Sequence, residues 1–216
     1  MKVIAYIDGF NLYHAIDDIG KPDPRRPNKR APRRPHLKWL DLWSLSRSLV
    51  RRGEVLEEVN YFSAYATWRA AAYQRHIEYV KALEFVGVTC IMSHFKIKKK
   101  KCKSCSSEWT EHEEKETDSH MAARIVFDAC KNRYDRMVLI TADSDIKPAI
   151  DIVRSNFPNK QLFVAAPPGR MSHARGIAPS LEITPGRLEK HLLPENAMGP
   201  TGRALFQRPI NYDPPT

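Results

Sequence analysis

Long hydrophobic runs are missing from this 216-residue chain: 42% of its residues are hydrophobic, yet no apolar stretch approaches the roughly 18 residues that span a bilayer. A membrane-spanning helix is therefore not expected. The chain opens directly on a strand-like run with no apolar leader or cleavage site, so a cytoplasmic location is expected. Cysteine is scarce, with only Cys90, Cys102, Cys105 and Cys130, which does not make a secreted disulfide framework at this length and fits a reducing compartment. No glycine-rich phosphate loop follows any apolar run, which leaves nucleotide-cofactor binding little support. Phe10 stands where a phosphoaspartate-type phosphatase would place a second aspartate after Asp8.

Positive charge is abundant but unevenly placed. The net charge is +10, and residues 21–38 carry +7 while Lys96 to Lys103 carry +6, so the remaining body is mildly acidic at −3. Two basic clusters on one chain favour a polyanion, because each phosphate contact releases condensed counterions. Five prolines between residues 20 and 36 preclude a regular helix or central strand there and mark an extended insertion.

Val3 to Ile7 is a continuous apolar run of the kind that parallel sheets bury on both faces. Further strands are expected at residues 55–65, 88–97, 137–142, 161–165 and 181–184. Helical spacing alternates with them, at residues 10–18, 37–50, 69–85, 118–131 and 146–155. Such alternation implies an α/β fold, a three-layer αβα sandwich with a mostly parallel sheet of five or six strands. One domain over residues 1–194 is expected, with a Pro/Arg-rich insertion at 20–36, a Lys-rich loop bearing a Cys-x-x-Cys pair at 96–116, and a flexible tail at 195–216.

Two apolar strands stop on carboxylates, at Asp8 and at Asp143-Ser144-Asp145. Open α/β sheets build their sites at that carboxyl edge. Asp118 begins a helix that should reach the same edge. Converging carboxylates suit hard divalent ions such as Mg²⁺ or Mn²⁺, and with them metal-assisted phosphodiester hydrolysis. Taken singly, Asp118 and Asp145 could equally be helix caps, and Asn11 could cap a helix or orient Asp8.

The segments Ile7-Asp8-Gly9-Phe10-Asn11-Leu12, Glu114-Lys115-Glu116-Thr117-Asp118, and Tyr134-Asp135-Arg136 leading into Thr141-Ala142-Asp143-Ser144-Asp145 together resemble the NYN family of the PIN-like nuclease superfamily. The resemblance runs over about residues 2–190 in order. It implies a PIN-like Rossmannoid fold and Mg²⁺- or Mn²⁺-dependent RNA cleavage. Asp8, Asp118, Asp143 and Asp145 match the family's acidic positions, Asn11 its amide and Thr141 its small hydroxyl. Arg124 departs from the pattern, standing where many relatives carry an acid. Near the site it would bind phosphate or weaken metal binding.

The expected activity is therefore a metal-dependent (endo)ribonuclease, with Asp8, Asp118, Asp143 and Asp145 as catalytic and metal-binding residues and Asn11, Thr141, Ser144 and Arg124 on the substrate. The alternative is an RNA-binding module of the same fold with weak or no catalysis. Both take RNA as partner, and the oligomeric state is left open. Arg170 and His173 follow a Pro-Pro-Gly turn at the same edge, where they could reach a phosphate. Cys102, Cys105 and His112 would make three of four ligands for a structural zinc, with His94 or Cys90 the fourth; two free thiols are the alternative. Trp39, Trp43, Trp68 and Trp109 are candidates for base stacking, although Trp43 fits a core position better.

Overall fold

A computed structural model describes residues 1–21, 32–102 and 104–215. The Pro/Arg-rich insertion expected at 20–36 falls largely outside the described residues.

The chain begins with β1 (Lys2–Asp8) and α1 (Gly9–Asp17), then passes through a 3₁₀ turn (Pro35–Lys38) to α2 (Leu42–Arg47), β2 (Val55–Ala64), α3 (Ala70–Phe85) and β3 (Thr89–Lys101). It continues with β4 (Glu108–Lys115), α4 (Thr117–Cys130), β5 (Arg136–Ile140), α5 (Lys147–Asn156), β6 (Gln161–Ala166), α6 (Met171–Ala174) and β7 (Ser180–Glu182). The last elements are α7 (Pro185–Leu188), β8 (Asn196–Met198) and β9 (Ala204–Gln207).

Seven strands form one sheet in the order β4-β3-β2-β1-β5-β6-β7, parallel except for β4. The six parallel strands are those expected from the sequence. β1 lies at the centre, which is why its run is apolar on both faces. Val3, Ala5 and Ile7 pack with α1 and α3 residues such as Leu12 and Leu83. Ile4 and Tyr6 face Met121 and Ile125 of α4 and Ile150 of α5. Alternate side chains of one strand thus hold both helical layers to the sheet.

Two expectations are corrected by packing. Residues 96–116 are not a basic loop: β3 runs on through the lysines and pairs with β4. Lys98 meets Glu113, Lys100 meets Glu111, and Lys101 lies 3.6 Å from Glu108. Residues 96–116 contain seven lysines and five glutamates, a net +2 rather than a strong basic patch. Cross-strand opposite charges stabilise such a ladder modestly, by about 0.2–1 kcal/mol per pair. The C-terminal residues, expected to be a flexible tail, form the β8–β9 hairpin and bring Phe206 to 1% exposure against Trp39 and Phe85. Two buried aromatics, Phe206 and Tyr212, anchor this segment.

Away from the carboxyl edge, a charged cluster joins α4 to β2. The fully buried Asp128 carboxylate accepts hydrogen bonds from Tyr6 Oη, Arg124 Nε and Arg133, each at 2.8 Å, and both arginines also pair with Glu58.

Candidate active site

Asp8 ends β1 where Ile7 is in register with Ile140 of β5, so the next residues of both strands leave the sheet side by side. The Asp8 carboxylate is 4% exposed and doubly held: Oδ1 accepts from Asn11 N at 2.9 Å, Oδ2 from Thr141 Oγ1 at 2.8 Å. Thr141 Oγ1 in turn accepts from Asp143 N at 3.1 Å. One buried hydroxyl therefore couples the two carboxylate-bearing edges. Asn11 Oδ1 accepts from Ala142 N at 3.0 Å, a second clasp between α1 and the β5 edge. Asp143 Oδ1 accepts from Asp145 N at 3.0 Å and caps a short 3₁₀ turn, Ser144–Ile146.

The capping alternatives resolve residue by residue. Asp8 and Asp143 are N-caps as well as carboxylates lining the cleft described below. Asp118 is no cap: it lies in the first turn of α4, where unpaired N–H groups favour a negative charge. The chain enters α4 through Glu116 at φ 74°, a left-handed conformation that makes the turn from β4 abrupt. Asn11 uses its side chain to hold Ala142, not to cap.

Asp8, Phe10, Asn11, His14, Asp118, Ala142, Asp143, Ser144, Arg170 and His173 enclose a cleft of about 440 Å³. Burial pushes the Asp8 carboxyl up to about 6, opposed by its bonds from Asn11 and Thr141 and assisted by the negative charges of Asp118 and Asp143. Partial burial, then Asp143 and Asp145, raise the Asp118 carboxyl too. Burial is the larger cause at both Asp8 and Asp118, and the neighbouring carboxylates add a repulsion that a cation relieves. Among the described residues no three Asp, Glu, His or Cys side chains stand close enough to be a ready-formed metal cluster. The carboxylates of Asp8, Asp118 and Asp143, with Ser144 beside them, are oxygen donors that fit a hard divalent ion, and His14 and His173 also line the cleft.

The cleft brings together Asp8, Asp118, Asp143, Asn11 and Ser144. Asp145 is exposed just outside its lining and acts on Asp118 through charge. Thr141, expected to touch substrate, is fully buried and positions Asp8 instead. Arg124 is corrected outright: it pairs with Glu58 and Asp128, because α4 runs away from the cleft and six residues carry a helical position about 9 Å along its axis. Phe10 and His14 also line the cleft, Phe10 with no mark in the sequence and His14 expected only at the surface or the site rim. Their i, i+4 spacing on α1 beside Asp8 is the only signal that could have found them.

The zinc trio is not assembled. Cys102 and Cys105 sit at the tip of the β3–β4 hairpin, while His112 stacks on Trp68 at 3.7 Å between ring centroids, five ladder positions from the tip. Cys90 pairs in β3 beside Tyr61, and burial pushes its thiol up to about 12. The Cys105 thiol is lowered to about 7, chiefly through its bond with Ser107.

Gly9, between Asp8 and Phe10, has no room for a side chain. A Cβ would lie 2.6 Å from Tyr61 Cε2 and 2.8 Å from the Phe62 carbonyl oxygen. Gly9→Ala is expected to destabilise the fold by about 1–3 kcal/mol, as overpacking does, and to displace Asp8. Urea unfolding checks the first effect; unchanged stability would refute the tight approach.

Comparison with known proteins follows the geometry. The family model for the NYN domain matches residues 2–177. No curated protein matches significantly. The chain is similar in fold to a solved protein of unknown function from Vibrio parahaemolyticus RIMD 2210633, with TM-score 0.51 and 16% identity over 89% of this chain and 96% of the other.

Proposed function

The chain belongs to the NYN domain family, a nuclease-like group, and from that premise we propose that it is a metal-dependent ribonuclease hydrolysing RNA phosphodiester bonds with Mg²⁺ or Mn²⁺. The observation that carries this reading is the cleft on which the Asp8, Asp118 and Asp143 carboxylates converge, with burial and neighbouring negative charge raising the proton affinity of Asp8 and Asp118. Asp8, Asp118 and Asp143 would hold the ion, with Asp145 adding charge at the edge. A divalent ion, when bound, lowers the pKa of water and neutralises charge that develops on the phosphate.

The chain's own residues do the rest. The Asn11 and Thr141 bonds keep the Asp8 carboxylate in one orientation, so no reorganisation is needed when substrate arrives. Asn11 also fixes the backbone at Ala142, from which Asp143 projects. Arg170, anchored to Asp18, lines the cleft with His14 and His173 and offers donors to phosphate oxygens. The basic residues outside the cleft would supply backbone affinity without sequence choice. The lysine hairpin is internally paired, and within residues 21–38 Lys21, Arg33, Arg34 and Lys38 also meet Asp17, Asp18 or Glu189. Arg124, the residue that favoured a non-catalytic binding module, is occupied elsewhere. Among the described residues no helix is long and apolar enough to cross a membrane.

The test is cleavage of single-stranded RNA by the purified chain with Mn²⁺ or Mg²⁺. Expected are products that vanish on chelation, and an Asp143→Asn variant that binds RNA without cutting it. Binding with no cleavage across both metals and several RNA forms would overturn the proposal.

A further inference from the structure

Next to the carboxylate cleft lies a second cavity, of about 300 Å³, which shares Phe10 and His14 with it. Its walls are mainly aromatic, with Tyr61, Trp68, Phe95 and Tyr212 beside Phe10. Three elements far apart in sequence set them in place. Phe95 of β3 meets Phe10 edge-on at 5.5 Å and Trp68 edge-on at 4.6 Å, and His112 of β4 stacks flat on the far side of that cluster against Trp68. The β3–β4 hairpin thus buttresses this wall.

Three of the polar groups inside, on Tyr61, His76 and Ser63, are neutral. Tyr61 Oη and His76 Nε2 are 3.2 Å apart, and burial pushes the His76 imidazole down to about 4, so it is uncharged at pH 7. The buried Ser63 hydroxyl adjoins Tyr61. Neutral donors and acceptors set among aromatic rings suit a flat heterocycle. Positive charge is present among the lining residues in Lys38, Arg69 and Arg75. The volume is at the bottom of the roughly 300–1,000 Å³ range of small-ligand sites, enough for one ring system and not for an oligomer.

We infer that this cavity receives one unstacked nucleobase of the RNA strand whose phosphate enters the carboxylate cleft. Continuity decides the occupant. Phe10 and His14 on successive turns of α1 are common to both spaces, so a base held in one places its own or an adjacent phosphate in the other. Aromatic stacking of a base is sequence-tolerant. An unpaired base enters at the lowest cost, because no pairing is broken. The enzyme would thus select single-stranded or looped RNA, by requiring a base that can leave its stack. This rests on reading the neighbouring cleft as one that takes an RNA phosphate.

The experiment uses the full chain without metal. Adenosine and uridine are titrated against tryptophan fluorescence, and a fluorescent single-stranded RNA decamer is titrated by anisotropy. Two variants accompany the wild type: Ala72→Phe, which fills the cavity from α3, and Trp68→Ala, which removes a wall from a partly exposed position and so keeps the test alive where the first fails to fold. Expected are a saturable nucleoside signal, and RNA affinity about tenfold weaker in each folded variant. An RNA with a single abasic residue should lose affinity for the wild type and lose nothing further in the variants. Cleavage of RNA by wild type together with unchanged affinity in a folded variant overturns the pocket and leaves the nuclease reading standing. Nucleoside binding that either variant abolishes, with no cleavage under any metal, supports the pocket and defeats the nuclease reading. Displacement by indole but not by nucleosides assigns the cavity to an apolar ligand and overturns the inference.

Discussion

Asp8→Asn is expected to lower RNA cleavage about a thousandfold, equivalent to about 4 kcal/mol of transition-state stabilisation, while making the metal-free protein more stable at neutral pH. The two effects share one cause. Asp8 is 4% exposed and its carboxyl is raised from 3.8 to about 6. Between those values the folded chain binds a proton that the unfolded chain has released, so stability falls as pH rises through the window from about 4 to 6. Above it the ionised carboxylate costs about 3 kcal/mol. Asparagine removes that charge and still accepts from Asn11 N. The variant should therefore melt several degrees higher than wild type at pH 7.5, at about 2–4 °C per kcal/mol for a chain of this size. At pH 4 the difference should vanish. Mg²⁺ or Mn²⁺ should raise the melting temperature of wild type and not of the variant. Equal melting of both proteins at pH 7.5 without metal would show that Asp8 carries no buried charge.

Asp128→Ala should produce the largest loss of stability, about 3–5 kcal/mol, because one partner of a buried ionic cluster is removed and the others stay. Asp128 is fully buried and is the acceptor for Tyr6 Oη, Arg124 and Arg133. Its loss leaves the buried Tyr6 hydroxyl without that acceptor and two guanidinium groups sharing Glu58 alone. Roughly 10 °C of melting temperature should go with it. Asp128→Asn, which keeps an acceptor for Tyr6, should lose less. Ten residues of α4 separate Asp128 from Asp118, about 15 Å along the helix axis, so a folded Asp128→Asn variant should retain its response to divalent ions. Thermal and urea unfolding measure the first effect, and a change within ±0.5 kcal/mol for alanine would mean that the cluster contributes nothing net.

These two carboxylates show the limit of reading position alone. Asp8 follows five apolar residues and precedes a glycine, a local signal that places it at a strand end. Asp128 lies on a helix with no local mark of its role. Its partners come from Tyr6 on β1 and Glu58 on β2, and nothing near residue 128 announces either. Arg124 looked like a site residue for the same reason. Helical spacing gives its face, but not which groups across the sheet would claim it.

The lysine segment makes the point for charge. Read alone, residues 96–103 are a basic patch; paired in register with residues 108–115, they are a hairpin with its own counter-ions. Register is a property of two strands, and each residue's neighbour across the ladder is absent from any window of sequence. The C-terminal hairpin is hidden from a local reading for a related reason, since Phe206 is isolated in sequence and is buried against Phe85 of α3 and Trp39.

By itself the sequence determined what depends on local pattern: the alternation of strands and helices, the central buried strand, the parallel sheet, and the placing of Asp8, Asp118 and Asp143 at one edge. Those follow from hydrophobic period and from where an apolar run stops, which are short-range quantities. The tertiary structure alone decided what depends on contact between distant segments: Thr141 as a positioning hydroxyl, Arg124 as a structural pair, the neutralised hairpin, and an aromatic cavity assembled from α1, β2, α3 and the β3–β4 hairpin. Each of these needs a distance between residues far apart in the chain, and only folding sets that distance.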